Sequence, residues 1–234
     1  MHFRRSLQRI SKNYTSPKDG EAYFYLGVTM QDQKKYKKAK DALWKATWYE
    51  GFQAPAYLRL AQIACVERNF NEAMKLLERS YSNNTKNTST IVLKAWLLRK
   101  KGKNDKAIEL LQLTQDIDPL DQWSYYENRF IHQENTGSRD LDKSHKAEFT
   151  EDVQAVLEVA LYYSKIGAYE EAISILDQYI ESGEDSDFPL LYYYAGYFHK
   201  LLGNITQSNN YFEMAQDAPP DYCFPFRPEE FDVL

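Results

Sequence analysis

Between Tyr57 and Ser80, apolar residues recur at helical spacing and change phase once, at Arg68-Asn69. Before the break, Tyr57, Leu60, Ala61 and Ala64 fall on one helical face; after it, Ala73, Leu77 and Ser80 do the same. The pattern predicts two short amphipathic helices joined by a turn. Helices of this length are marginal alone in water, so each stripe must be covered by its partner and by a neighbouring pair. Such a unit calls for copies along the chain.

The copies recur in near-constant register. Thirty-four residues upstream lie Tyr23, Leu26, Gly27, Met30, Ala39, Leu43 and Ala46. Thirty-four downstream lie Ile91, Lys94, Ala95, Leu98, Ala107, Leu111 and Thr114, closing with Pro119. A fourth copy has Val156, Val159, Ala160, Tyr163, Ala172, Leu176 and Tyr179. A fifth has Tyr192, Ala195, Gly196, His199, Ser208, Phe212 and Ala215, closing with Pro220. A small residue at the eighth slot of each copy, and Ala or Ser at the twentieth, would let the two helices approach closely. Lys94, His199 and Ser208 depart from the apolar pattern at their slots.

These slots resemble the tetratricopeptide repeat, a helix–turn–helix unit that stacks into an α-solenoid. The resemblance covers most of residues 20–220 and implies an all-α, right-handed superhelix of antiparallel helix pairs. On this reading residues 20–119 hold three repeats and 153–220 hold two, all in one elongated domain. Residues 120–152 break the register. There Trp123, Tyr126, Phe130 and Ile131 predict a helix before a polar stretch, as in a degenerate repeat; a linker between two blocks is the competing reading. Thr150 is the expected cap of the following helix. Residues 1–19 carry Phe3, Leu7 and Ile10 on one face, as a capping helix or the remnant of a preceding repeat would. Residues 221–234 form an aromatic, proline-rich tail expected to fold back on the last pair. More distantly, His2 to Arg5, Asp19 to Tyr23, Lys45 to Trp48, Asp118 to Asp121 and this tail resemble the repeat region of a bacterial multidomain family. There a large uncharacterised, carbohydrate-related domain precedes the repeats.

Composition narrows the function classes. The chain has 234 residues, 43% of them apolar, and no apolar run long enough to span a membrane. Two isolated cysteines, Cys65 and Cys223, form no framework, and the N-terminus has no apolar signal core; a cytoplasmic protein is expected. The net charge of −5 conceals an asymmetry. Residues 1–110 hold 22 basic against 10 acidic side chains, and residues 111–234 hold 7 against 24. A long electric dipole is expected.

Catalytic chemistry is not expected. No phosphate-binding glycine loop, HExxH or CxxC occurs, and His2, His132 and His145 lack partners at metal-ligand spacing. His199 occupies a packing slot, where a hydrogen-bonded core histidine is expected. Glu170 and Glu171 read as a solvated face, and Asp116, Asp118 and Asp121 as turn and cap residues. The acidic run Glu184 to Asp187 lacks the spacing of a calcium loop. Neither a cofactor nor a metal is implied.

Binding is expected instead. The resemblance implies that the first helix of each pair lines a concave groove. Its inward slots hold Phe24, Val28 and Gln31, then Leu58, Gln62 and Cys65, then Val92, Trp96, Arg99 and Lys100. In the last two copies they hold Leu157, Leu161 and Lys165, and Tyr193, Tyr197 and Lys200. Trp96, Tyr193 and Tyr197 are the expected anchors, since interface energy concentrates on aromatic and arginine side chains. The carboxylate-clamp set of chaperone-binding repeats is absent, its slots holding Phe24, Val28, Arg59, Ser89 and Leu93. A second candidate surface is a basic edge: Lys34, Lys35, Lys37 and Lys38 at one helix–helix turn, Lys101 and Lys103 at another. It suits an acidic partner or a second copy of the chain. The sequence thus points to a non-catalytic protein or peptide scaffold. An accessory module of a bacterial carbohydrate-related protein is the alternative, and nucleic-acid binding through the basic half is disfavoured by the acidic balance.

Overall fold

The structure is a computed structural model that describes residues 20–137, 152–182 and 188–219. Residues 1–19 and 220–234, with their expected capping helix and tail, lie outside the described residues, as does Thr150. The described residues form eleven α-helices and no strand. The chain divides into two compact units, Met1–Ile117 and Asp118–Leu234.

The first unit contains three antiparallel pairs. They are α1 (Glu21–Asp32) with α2 (Tyr36–Ala46), α3 (Glu50–Val66) with α4 (Phe70–Asn83), and α5 (Thr88–Arg99) with α6 (Asn104–Ile117). Successive pairs also touch, α2 against α3 and α4 against α5. The small slots explain the close approach. Ala61 and Ala95 are fully buried, as are Ala39, Ala73 and Ala107 on the facing helices. Leu43, Leu77 and Leu111 fill the space between them, each at 0% exposure. Lys94, the departure from the apolar pattern, is half-buried with its ammonium over the Tyr81 ring, 4.8 Å from the centroid. Its stem packs while its charge faces a π surface.

In the second unit α7 (Gln122–Thr136) precedes α8 (Val153–Ser164) with α9 (Tyr169–Ser182), and α10 (Pro189–Leu201) with α11 (Ile205–Asp217). Trp123, Phe130 and Ile131 of α7 are buried. Trp123 stacks on Tyr162 at 5.2 Å, and Phe130 meets Tyr163 edge-on at 5.6 Å. Glu127 is wholly buried and accepts a 2.6 Å hydrogen bond from the Tyr163 hydroxyl. Asp152, rather than the expected Thr150, caps α8, because its carboxylate accepts from the Gln154 amide at 3.2 Å. Asp121 and Asp118 take the turn and cap roles expected of them, accepting from the Ser124 and Leu120 amides. Glu170 is exposed, but Glu171 is buried, at 6% exposure, so the pair is not one solvated face. Both lie in the first turn of α9, where the helix dipole favours a carboxylate.

One backbone device recurs at every turn inside a pair. Lys34, Arg68, Gly102, Gly167 and Gly203 all have φ between 58° and 81°. The residue after each donates its amide five residues back: Lys35 to Met30, Asn69 to Ala64, Lys103 to Leu98, Ala168 to Tyr163 and Asn204 to His199. This is the Schellman closure, which satisfies the last carbonyls of the first helix. Glycine enters the left-handed region without cost, whereas a side chain there costs roughly 1–2 kcal/mol. Glycine also gains unfolded-state freedom, which returns roughly 0.4–1 kcal/mol. Lys34→Gly and Arg68→Gly should therefore each stabilise the protein by about 0.5–1 kcal/mol in urea unfolding, and Gly102→Ala should destabilise by about the same amount. Three changes of the same sign would show that these turns do not share one conformation.

Candidate functional site

The slots of α1, α3 and α5 expected to line a groove differ sharply in depth. Phe24, Val28 and Leu58 are half-buried, and Lys100 is exposed. Gln31, Gln62, Cys65, Val92, Trp96 and Arg99 are buried. The Gln31 side-chain amide donates to the Gln62 carbonyl oxygen at 3.2 Å, tying consecutive first helices together, while the Gln31 Oε1 is buried without a hydrogen-bond partner. Phe24 packs on Phe52, with centroids 5.5 Å apart. Trp96 is 1% exposed, edge-on to Phe70 at 5.7 Å, with the Lys100 ammonium 5.7 Å from its ring. Burial pushes the Cys65 thiol up to about 12 from an ordinary 9.0, so it stays protonated and unreactive near neutral pH.

In the second unit Leu157 and Leu161 are buried core residues and Lys165 is half-buried. Tyr193 is half-buried against Phe212 at 6.3 Å, Tyr197 is buried, and Lys200 is exposed. His199 is packed as expected, stacked on Tyr211 at 5.3 Å, but its Nδ1 is buried with no hydrogen-bond partner. Tyr211 donates to Asp177 at 2.5 Å. Burial and that hydrogen bond hold the Tyr211 hydroxyl well above the usual tyrosine range.

The basic-edge lysines Lys34, Lys35, Lys37, Lys38, Lys101 and Lys103 are all exposed. Contacts between consecutive pairs run beside these turns. Lys40 of α2 pairs with Glu67 of the next turn at 2.6 Å, and Lys101 donates to Asn71 at 3.1 Å.

Two features escaped the sequence reading. The fourth slot holds an aromatic ring and the twenty-sixth a cation in both of the first two copies. Lys45 lies 5.6 Å from the Tyr23 ring and Arg79 5.7 Å from the Tyr57 ring. The thirty-four-residue recurrence of Tyr with Lys or Arg was the signal available. The second is an exposed pair of indoles, Trp44 at 38% and Trp48 at 75%. Among the described residues no group of acidic, histidine or cysteine side chains is placed to hold a metal, and no helix is long and apolar enough to cross a membrane.

No family model matches the chain, and no curated protein matches it. Among solved structures it is similar to a tetratricopeptide repeat protein from Parabacteroides merdae ATCC 43184, at 20% identity over 86% of this chain and 80% of that one, with a TM-score of 0.49. It is also similar to YrrB, described as a TPR protein with an unusual peptide-binding site, at 16% identity over 95% and 94% of the two chains, TM-score 0.45. MamA is similar at 15% identity over 85% and 90%, TM-score 0.40. The fold class of this chain is the one its own register builds: all-α, in helix pairs of tetratricopeptide type.

Proposed function

We propose that the chain is a non-catalytic interaction scaffold whose first-helix faces bind an extended peptide or a partner domain. The observation that carries this reading is the row of half-buried apolar side chains, Phe24, Val28 and Leu58, on consecutive first helices. They lie beside a buried Gln31–Gln62 bridge that fixes the spacing of those helices. Apolar anchor points on rigid elements, edged by polar groups, are what an extended segment uses for affinity and register. Tyr193 and Lys200 offer the same combination in the second unit. The exposed lysines of the basic edge add a preference for acid, met by a partner protein or by the acidic residues of a second copy.

Selection from a random displayed-peptide library on the immobilised full chain tests the groove. Selected peptides should lose at least roughly tenfold in affinity against Val28→Glu and Leu58→Glu, a fold-change typical of truncating an interface anchor. Circular dichroism should show helicity retained. Selected peptides that bind these variants as well as the parent would place the site elsewhere.

A further inference from the structure

The outer slots of the second helices are polar in every copy but the first. Slot twenty-five holds Glu78, Gln112, Asp177 and Glu213, and slot twenty-nine holds Ser82, Asp116, Glu181 and Asp217. All of these are exposed except Asp177, which is half-buried. The first copy has Trp44 and Trp48 there, 38% and 75% exposed. Packing asks for no indole at these slots, since four copies close their cores with polar residues in the same places. Two tryptophans one helical turn apart are a large apolar surface to leave in water.

The indoles have neighbours that build a corner. Trp44 of α2 meets Tyr57 of α3 edge-on, with centroids 6.0 Å apart and ring planes at 81°. The Arg79 guanidinium of α4 lies 5.7 Å from the Tyr57 ring. Lys45, next to Trp44 in the chain, lies 5.6 Å from the Tyr23 ring. Two cations are thus held beside the indoles, each by a tyrosine. Neither indole N–H, nor the Tyr57 hydroxyl, is hydrogen-bonded to another described residue.

We infer that this corner binds a proline-rich segment of a partner protein with acidic residues on either side of the prolines. The pyrrolidine rings pack on Trp44, Trp48 and Tyr57, and the carboxylates meet Lys45 and Arg79. This goes beyond the first-helix reading, because it concerns second-helix slots and stands or falls without the groove. The chemistry of the corner selects the occupant. A polyproline II chain leaves its carbonyls unpaired, which suits rings that carry N–H and O–H donors. A helical segment uses its carbonyls internally and would bury those donors without acceptors. A nucleic-acid strand needs open ring faces for its bases, and Arg79 already lies over Tyr57. On α2 itself Lys37, Lys38, Lys40 and Lys45 outweigh Asp41, which favours acidic flanks.

The test uses the full chain and three labelled peptides followed by fluorescence anisotropy. They are a hexaproline flanked by glutamates, the same hexaproline flanked by lysines, and an alanine-rich helical peptide of equal acidic charge. The glutamate-flanked hexaproline should bind tightest. Its affinity should fall roughly tenfold in Trp44→Ala and again in Trp48→Ala taken singly, as for the loss of an interface anchor. Trp48 is the more exposed of the two, so its variant separates binding from folding, with circular dichroism as the check. Lys45→Glu combined with Arg79→Glu should erase the preference for glutamate over lysine flanks. Iodide quenching of the free chain reads the openness of the corner directly. It should fall in the Trp44→Phe, Trp48→Phe variant, and in the parent on adding the peptide.

Binding of the helical peptide as tight as that of the hexaproline would overturn the inference, as would affinity that neither tryptophan replacement changes. Quenching that is the same with and without the two indoles would also overturn it, because another part of the chain would then cover them. So would a response of the indoles to a glucose hexamer and none to the hexaproline, which would assign the corner to carbohydrate.

Discussion

Replacing Trp96 by alanine is expected to lower the unfolding free energy by about 3–5 kcal/mol, the range for deleting a fully buried indole. The ring is 1% exposed and packs edge-on against Phe70 of the preceding pair, so the cavity would open between α4 and α5 and cannot be relieved by solvent-side rearrangement. This weighs on the site as well as on the fold. A groove anchor contributes mainly to binding, and its removal leaves the free protein nearly as stable; a residue at the floor of the groove does the reverse. Trp96→Phe, which keeps an aromatic edge for Phe70, should recover a large part of the loss, and Phe70→Ala should be strongly non-additive with Trp96→Ala because the two share one contact. Urea unfolding of the four proteins decides it. A loss below about 1 kcal/mol for Trp96→Ala would mean that the ring is available to a ligand rather than committed to the core.

The repeat architecture was legible because it depends on small residues at fixed intervals, and size is written directly in the sequence. Gly27, Ala61, Ala95, Ala160 and Gly196 are buried, as are Ala39, Ala73, Ala107, Ala172 and Ser208 opposite them. Even the departures at His199 and Lys94 are absorbed by neighbouring rings, Tyr211 and Tyr81. The depth of the residues expected to line a groove was not legible. Periodicity assigns a side chain to a face, but whether that face is solvent or floor depends on what the next pair places over it. Trp96 and Gln62 share a slot with Val28, yet they are buried and Val28 is half-buried. Buried charge was illegible for the same reason: Glu127 and Glu171 look like surface residues until Tyr163 and the first turn of α9 are in place. The left-handed turns at Lys34 and Arg68 were hidden because only the third, fourth and fifth copies use glycine there.

Gly27→Leu is expected to destabilise the protein by roughly 1–3 kcal/mol, and the cause can be separated from helix propensity. A Cβ at residue 27 would stand 2.5 Å from the Cγ of Leu43 and 2.7 Å from its Cδ2, inside any distance real side chains adopt. Leu43 is itself wholly buried, so it has no open volume into which to move. In an exposed helix interior, removing glycine would stabilise by roughly 0.5–1 kcal/mol, so the clash must overcome that gain before any loss is seen. The smaller Gly27→Ala change sets the two effects against each other, and its net loss should be correspondingly smaller than that of leucine. Gly196 offers a contrast. Its Cβ would meet Phe212 ring atoms at 2.9 and 3.0 Å and the Ser208 carbonyl oxygen at 3.1 Å; the half-buried ring can shift but the backbone cannot, so Gly196→Ala should also destabilise, by less than Gly27→Ala. Adding Leu43→Ala to Gly27→Leu should recover stability relative to the sum of the single changes, because truncation makes the space that the introduced side chain requires. Simple additivity of the two, or an unchanged midpoint for Gly27→Leu in urea, would mean that the first two helices do not meet at this slot.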